Sequence, residues 1–280
     1  MEGRVAIVTG AGRGMGRSHA IALAKGGASV VINDIAKDKE NGAVLSRSVA
    51  EEIERQGGNA AWSTDNITIS EEAKNLVDLA FSTFGRLDIL VNNAGIIRDA
   101  AFHKMADEQW DEVIQVHLYG TYFVTRHAWP HMREAKYGRV IMKTSISGLY
   151  GQFGQANYAA AKLGLQGLVN ALAIEGKKYN ILVNAVSPVA ATKMNEDILN
   201  PAQRAKYRAE YVSALVAYLA SESCRDSGLT IHAGGGAYSR LAVGRATGVE
   251  FEEVPTVGEI ERCWRDITSM RECIWEPPEL

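Results

Sequence analysis

One loop near the N-terminus constrains this chain more than any other feature. Residues 5–8 are four consecutive apolar side chains, and they lead straight into Thr9-Gly10-Ala11-Gly12-Arg13-Gly14-Met15-Gly16. A short continuous apolar run reads as a strand buried on both faces, which is the pattern of a parallel sheet. Glycines at this spacing let the backbone turn tightly and let a bulky anion approach without meeting a Cβ. A helix opening near Met15 then presents unpaired N–H groups and a positive dipole end to phosphate. A plain strand-to-helix turn does not need four glycines in seven residues, so Gly10, Gly12, Arg13, Gly14, Met15 and Gly16 are the candidate pyrophosphate-binding residues.

The rest of the chain repeats the same strand-then-helix unit. Strands are predicted at Arg4–Thr9, Ser29–Asn33, Ala60–Thr64, Leu87–Val91, Arg139–Thr144, Ile181–Val186 and Leu229–His232. Helices are predicted at Met15–Lys25, 46–56, 71–84, 107–134 with a break near Pro130, 155–178 and 202–221. Alternation of this kind requires an α/β fold: a doubly wound, Rossmann-like parallel sheet of about seven strands with helices on both faces. The length of 280 residues suits one such domain plus a tail. We expect the domain to end near 240, with 241–280 as a C-terminal extension carrying a helical patch at Val257–Met270. That extension either packs on the domain or a partner subunit, or frays.

Composition excludes several classes. A net charge of −3 gives no basic footprint for nucleic acid. No run reaches the apolar length of a membrane helix, and the N-terminus lacks the long apolar core of a secretory leader, so no membrane partner and a cytoplasmic chain are expected. Cys224, Cys263 and Cys273 are few, odd in number and without metal spacing, so neither a disulfide framework nor a metal site is expected.

Asp34 closes the second strand, 18 residues after Gly16. A carboxylate there accepts hydrogen bonds from the adenosine ribose and repels a 2′-phosphate, which favours NAD over NADP. Arg13 pulls the other way, and a simple turn role for Asp34 is the plainer alternative. The fifth strand ends at Thr144-Ser145, and Tyr158 and Lys162 follow in a helical stretch. Positions i and i+4 share a helix face, so an ammonium beside the phenol would lower its pKa toward working pH. Tyr158 could then exchange a proton with a carbinol oxygen that Ser145 also holds. Ten tyrosines and twelve lysines give about 0.4 chance matches to Y-x-x-x-K, so the pair gains weight only from its context.

Taken together, TGAGRGMG, Asn92-Asn93-Ala94-Gly95, Ser145 and YAAAK resemble the short-chain dehydrogenase/reductase family over about residues 3–238. The resemblance implies that Tyr158 is the acid/base, that Lys162 binds the nicotinamide ribose and tunes Tyr158, and that Ser145 orients substrate. It implies an adenine contact at Asp65, a nucleotide cleft lined by Asn92 and Ala94, further cofactor contacts at Asn66, Asn93 and Gly95, and a nicotinamide edge at Ser187, Pro188, Val189 and Thr192. His117 stands where many members have a water-holding Asn, so it is either a proton relay or a satisfied core histidine.

Longer stretches narrow the resemblance. NNAGIIRD, VHLYGTYFVTRHAWPHM, YGRVIM, GQFGQANYAAAKLGLQGL and ALAIEGKKYNI are similar to the dehydrogenase unit of type 2 peroxisomal multifunctional enzymes and their stand-alone bacterial relatives. That branch implies NAD-dependent oxidation of a (3R)-3-hydroxyacyl-CoA, with 17β-hydroxysteroids or other bulky alcohols as alternatives. Its hydratase and sterol-carrier units are expected to be absent here. A non-catalytic nucleotide-binding regulator is the reading from another class. A CoA ester would want cations near the cleft mouth, and Arg98, Lys104, Lys193, Arg204, Lys206 and Arg208 are either those or a solvated face. Small residues on the 155–178 helix, with the family's habit, imply a homodimer or homotetramer.

Overall fold

The computed structural model describes residues 1–191 and 200–275. The chain divides into two compact units, Met1–Arg240 and Leu241–Leu280. In the first, an eight-stranded sheet runs in the order β3-β2-β1-β4-β5-β6-β7-β8. Its strands are β1 (Val5–Thr9), β2 (Ser29–Asn33), β3 (Ala60–Ser63), β4 (Ile89–Asn92), β5 (Gly138–Lys143), β6 (Ile181–Val189), β7 (Thr230–Gly234) and β8 (Ala237–Leu241). Pairings from β3 through to β7 are all parallel. Every residue of β1 and β4 is buried, as a central parallel strand covered on both faces must be. The order reverses between β1 and β4, so a crevice opens there at the carboxyl ends of the strands.

Two apolar layers sandwich the sheet. One gathers α1 (Gly14–Lys25), α2 (Leu45–Arg55) and α9 (Ala209–Ala220) around Val8, Ile32, Ile141 and Val186. The other gathers α3 (Ser70–Phe84), α5 (Gly120–Ala135) and α7 (Ala156–Gly176) around Ile7, Leu90, Met142 and Ala185. The remaining helices are α4 (Asp107–Ile114), α6 (Ile146–Tyr150) and α8 (Pro201–Lys206). In the second unit, β9 (Arg245–Ala246) and β10 (Cys273–Ile274) pair antiparallel, and α10 (Val257–Ile267) begins on a Thr256–Glu259 capping box.

The expected doubly wound parallel sheet is present, and three local differences stand out. First, the long helix does not break at Pro130, which lies exposed within α5. The carbonyl that Pro130 deprives of its helical donor is that of Arg126, on the exposed face of α5. The interruption falls earlier, in one wide turn at Gln115–Tyr119 between α4 and α5. Second, the single helix expected at 202–221 is two. The Tyr207 carbonyl accepts from the Ala191 N–H at 2.6 Å, and Arg208 is extended at the start of α9. Third, the sheet gains an eighth strand. Gly235 and Gly236 both have positive φ, at 58° and 84°, the two-residue turn that folds β8 back as a hairpin on β7.

The loop after β1 is shaped by contact as much as by torsion. Gly10 has φ of +61°, and a Cβ on it would stand 2.7 Å from the Ala94 Cα. At Gly16 a Cβ would meet the Gly10 carbonyl at 2.2 Å and the Asn93 amide nitrogen at 2.4 Å. The first neighbour is backbone and the second is a side-chain amide held by the Thr9 and Gly10 carbonyls, so Gly16→Ala forces the loop off β4. We expect a loss of roughly 1–3 kcal/mol, the usual scale of overpacking. Chemical denaturation reads it directly, and an unchanged midpoint would mean that the loop yields freely.

Candidate active site

The site grows from one hydroxyl and one amide at the crevice. The Thr9 hydroxyl accepts from the N–H groups of Asn93 and Ala94, both at 3.1 Å. Asn93 then donates its side-chain amide to the carbonyls of Thr9 (2.9 Å) and Gly10 (3.0 Å). These bonds tie the glycine loop to the turn after β4. The cradle has no room for side chains at Gly10, Gly12 or Gly16, and α1 begins at Gly14 with its first-turn N–H groups facing it. A pyrophosphate fits such a site, because backbone donors can come into contact range of it. Met15 is half-buried in the first turn and Arg13 is exposed at the start of the helix.

Asp34 stands beside this cradle. One carboxylate oxygen accepts from Gly12 N–H and the other from Ala36 N–H, each at 2.9 Å. Each oxygen keeps a further lone pair. Asp65 and Asn66 lie just past β3. Asp65 accepts from the Ser63 hydroxyl at 2.5 Å, while the Asn66 side-chain oxygen is taken up by Thr68 at 2.9 Å. Asn92 is buried and donates to Thr125 at 3.0 Å, an arrangement that braces β4 against α5.

On the other side of the crevice, Ser145 caps α6, and its hydroxyl accepts from Ser147 N–H at 3.2 Å. The same hydroxyl is the polar neighbour that favours the ionised form of the Tyr158 phenol. Tyr158 is fixed from behind by buried Asn157. That amide donates to the carbonyls of Arg98 (3.1 Å) and Gln109 (2.9 Å) and accepts from Tyr158 N–H (2.7 Å). Lys162 is buried, donates to the Lys143 carbonyl and lies 5.5 Å from the centre of the Tyr158 ring. Thr144 locks this end of β5 to α7 through the Lys162 carbonyl at 2.9 Å.

The expected acidification of the phenol is not seen in the free groove. Burial pushes Tyr158 up, with the Ser145 hydroxyl opposing it and Asp99 adding to it. Burial likewise holds Lys162 well below the usual lysine range, and the Lys143 charge lowers it further. The reason is physical: both groups are shielded from water, which costs their charged forms more than their mutual proximity returns.

His117 sits in the wide turn between α4 and α5, the kind of local distortion often found at functional sites. Its ring packs edge-on against Tyr158, with centroids 5.1 Å apart. Nε2 lies 2.8 Å from the Ile96 carbonyl and 3.1 Å from its N–H, while buried Nδ1 has no partner. Burial first, and then the Lys162 charge, hold the ring neutral. Gly95 is required here, since a Cβ would stand 2.3 Å from His117 Cε1.

Ser187, Pro188 and Val189 form the end of β6, which runs three residues longer than expected. Pairing with β5 stops at Val186 while pairing with β7 continues to Val189, so the missing Pro188 N–H faces no partner strand on the β5 side. Thr192 and Lys193 lie outside the described residues. Of the cations expected at the mouth, Arg98 is held by Glu112 at 2.6 Å, and Arg208 lies 3.7 Å from Glu210. Lys104 ends a short helical turn at Phe102–Lys104, and Lys206 lies over the Tyr207 ring.

Two residues of the site escaped sequence reasoning. Asn157 carries no motif of its own. Lys143 does leave a signal, a charge ending a strand otherwise apolar from Val140 to Met142. Its ammonium donates to the Asn93 side-chain oxygen at 3.2 Å, and burial lowers it to about 8.

Comparison with known proteins agrees with this geometry. Residues 4–203 match the family described as short chain dehydrogenase. A short-chain type dehydrogenase/reductase of Mycobacterium tuberculosis is 46% identical over 273 residues, covering 96% of both chains. The mouse peroxisomal multifunctional enzyme type 2 is 46% identical over 250 residues, covering 88% of this chain and 34% of that one. The chain thus spans about a third of that longer relative. The crystal structure of a short chain dehydrogenase from Mycobacterium avium superposes with a TM-score of 0.84 at 38% identity, covering 95% of this chain and 94% of that one. With the glycine cradle and the Ser145, Tyr158 and Lys162 cluster on one crevice, the chain belongs to the short-chain dehydrogenase family of oxidoreductases, whose members bind a nicotinamide dinucleotide.

Proposed function

We propose that this protein oxidises the secondary alcohol of a (3R)-3-hydroxyacyl-CoA to the 3-keto ester with NAD. The observation that carries the chemistry is the gathering of Ser145 at the end of β5 with Tyr158 and buried Lys162 on one stretch of α7, the Lys162 ammonium 5.5 Å from the Tyr158 ring centre. Two things support the substrate. Relatives 41% and 40% identical are named peroxisomal hydratase-dehydrogenase-epimerases, of Neurospora crassa and Saccharomyces cerevisiae. Hydration of a conjugated double bond yields a 3-hydroxy group, the alcohol this reading consumes. In addition, Phe102, Tyr150 and Phe153 stand exposed on segments following β4 and β5, and the Ala100 N–H bond to the Gly154 carbonyl joins those segments. They offer an apolar rim to an acyl chain.

In this reading Gly10, Gly12, Gly14, Met15 and Gly16 hold the pyrophosphate, Asp34 the adenosine ribose, and Asp65 and Asn66 the adenine end. Asn93, Ala94, Gly95, Pro188 and Val189 line the nicotinamide half. When bound, the nicotinamide supplies the acceptor for the substrate's hydride. Ser145 donates to the substrate oxygen and holds it against the Tyr158 phenol. Tyr158 takes the alcohol proton in oxidation and returns it in ketone reduction. Lys162 fixes the ribose hydroxyls and stabilises phenolate once the groove is filled. His117 is a positioning residue whose ring walls Tyr158. Holding both reactants in register supplies much of the acceleration.

We further read the exposed apolar side chains Tyr119, Tyr122, Leu163 and Ile174, on the wide turn, α5 and α7, as a subunit contact of a homo-oligomer. A purely monomeric boundary in sedimentation velocity would refute that.

Turnover with (3R)-3-hydroxyacyl-CoA, followed by nicotinamide absorbance, is expected to exceed that with 17β-hydroxysteroids and simple alcohols. Turnover confined to steroids, or none beside tight NAD binding, would overturn the substrate assignment. Tyr158→Phe should cut kcat by about 10²- to 10⁴-fold, the share of a positioned acid/base, while NAD still binds. The raised phenol is protonated at neutral pH in the free protein. Oxidation kcat/KM should therefore climb as pH rises from neutrality, and a flat profile would contradict the assignment. Asp34→Ala should weaken NAD and raise the NADP-to-NAD preference by tenfold or more, about 1.4 kcal/mol. An unchanged preference would remove Asp34 from the ribose site.

A further inference from the structure

Lys143 is the group in the crevice that the proposed reaction leaves idle. It ends β5, pairs with Val186 across the sheet, and shares a face with Ile141, which packs in the layer of α1 and α9. Its backbone carbonyl receives the Lys162 ammonium on the α7 side, while its own ammonium turns the other way to the Asn93 side-chain oxygen. The same Asn93 carboxamide donates to the carbonyls of Thr9 and Gly10. One amide therefore separates the Lys143 charge from the glycine cradle. Among the described residues no carboxylate pairs with it. The titratable groups around it are His19 on α1, His117 in the wide turn, and Lys162 on α7, none of them an anion.

Lys143 is half-buried, and an ammonium partly withdrawn from water with an amide oxygen as its protein partner is under-compensated. An anion placed on the cradle would complete it. We propose that Lys143 is a cofactor-binding residue, the counter-cation for the nicotinamide-side phosphate of the dinucleotide. This rests on the reading of the crevice as a dinucleotide site and adds a charge that the glycine loop, made of backbone donors, does not contain. A charge-assisted bond to phosphate is among the strong ones, and burial magnifies it. The proposal also explains why a lysine is tolerated at the end of a buried strand: its charge is matched when the groove is loaded.

The pH dependence has a definite sign. Lys143 titrates near 8 in the free protein, and an adjacent phosphate raises that value. Affinity for a ligand carrying the second phosphate is then flat below about 8 and falls above it. His19, lowered to about 3, and neutral His117 do not titrate in that range. Lys162 lies on the other side of β5, and the variant below separates its contribution.

The test is calorimetric binding of ADP and of AMP to the full chain and to Lys143→Met, from pH about 7 to about 10, with no turnover involved. ADP carries the second phosphate and AMP lacks it. We expect Lys143→Met to bind ADP about tenfold more weakly at neutral pH, to bind AMP as the parent does, and to lose the decline above pH 8. Retained AMP binding also certifies a folded variant. If it is lost, the parent's own ADP and AMP profiles decide, since only ADP should weaken above pH 8. Equal ADP affinity in parent and variant overturns the proposal, as does a decline that persists in Lys143→Met, which would belong to Lys162. If the parent binds neither ADP nor NAD, the dinucleotide reading itself fails, a different and recognisable result.

Discussion

Burial of charge organises this crevice. A phenol and two ammonium groups, Tyr158, Lys162 and Lys143, are gathered at the ends of β5 and α7, Lys162 buried and the other two half-buried. Each ordinarily relies on solvent to ionise or stay ionised, and here each is displaced toward its neutral form. The scaffold accepts this because their polar atoms are tied into the sheet. Lys162 bonds the Lys143 carbonyl, Lys143 bonds Asn93, and Asn93 bonds the glycine loop. The free protein is thus a groove biased against charge, whose balance changes when an anionic ligand with a polar ribose enters. Preorganisation of this kind is how a site avoids reorganising at the moment of reaction.

The fold serves that groove directly. Parallel strands place all their carboxyl ends on one side, and the reversal between β1 and β4 opens the crevice there. Asn157, Thr144 and Thr9 each use one buried polar side chain to bind two segments distant in sequence. Their bonds are satisfied by backbone groups.

Much of this was legible beforehand. The buried strands announce themselves as apolar runs, and the glycine at position 16 sits where a Cβ would meet the Gly10 carbonyl and Asn93. Less legible were features fixed by tertiary contact. The split between α8 and α9 depends on the Tyr207 carbonyl being taken by Ala191, a partner no periodicity reveals. Pro130 looked like a breaker, yet the carbonyl it orphans belongs to an exposed turn. The wide turn that carries His117 has no residue signature of its own. Within the site, the i, i+4 spacing placed Tyr158 and Lys162 on one face but could not tell that burial outweighs their proximity. Lys143 drew no reading as part of the fifth strand, and only the fold shows that its ammonium reaches Asn93.

The account stands or falls on the ionisation of one phenol. Ultraviolet difference titration of the parent against Tyr158→Phe isolates that tyrosine from the other nine. Without NAD, Tyr158 should ionise above the ordinary tyrosine range, and with saturating NAD it should ionise at distinctly lower pH. A phenol already acidic in the free protein, or one that NAD leaves unmoved, would contradict the picture of a groove whose proton exchange is switched on by its cofactor.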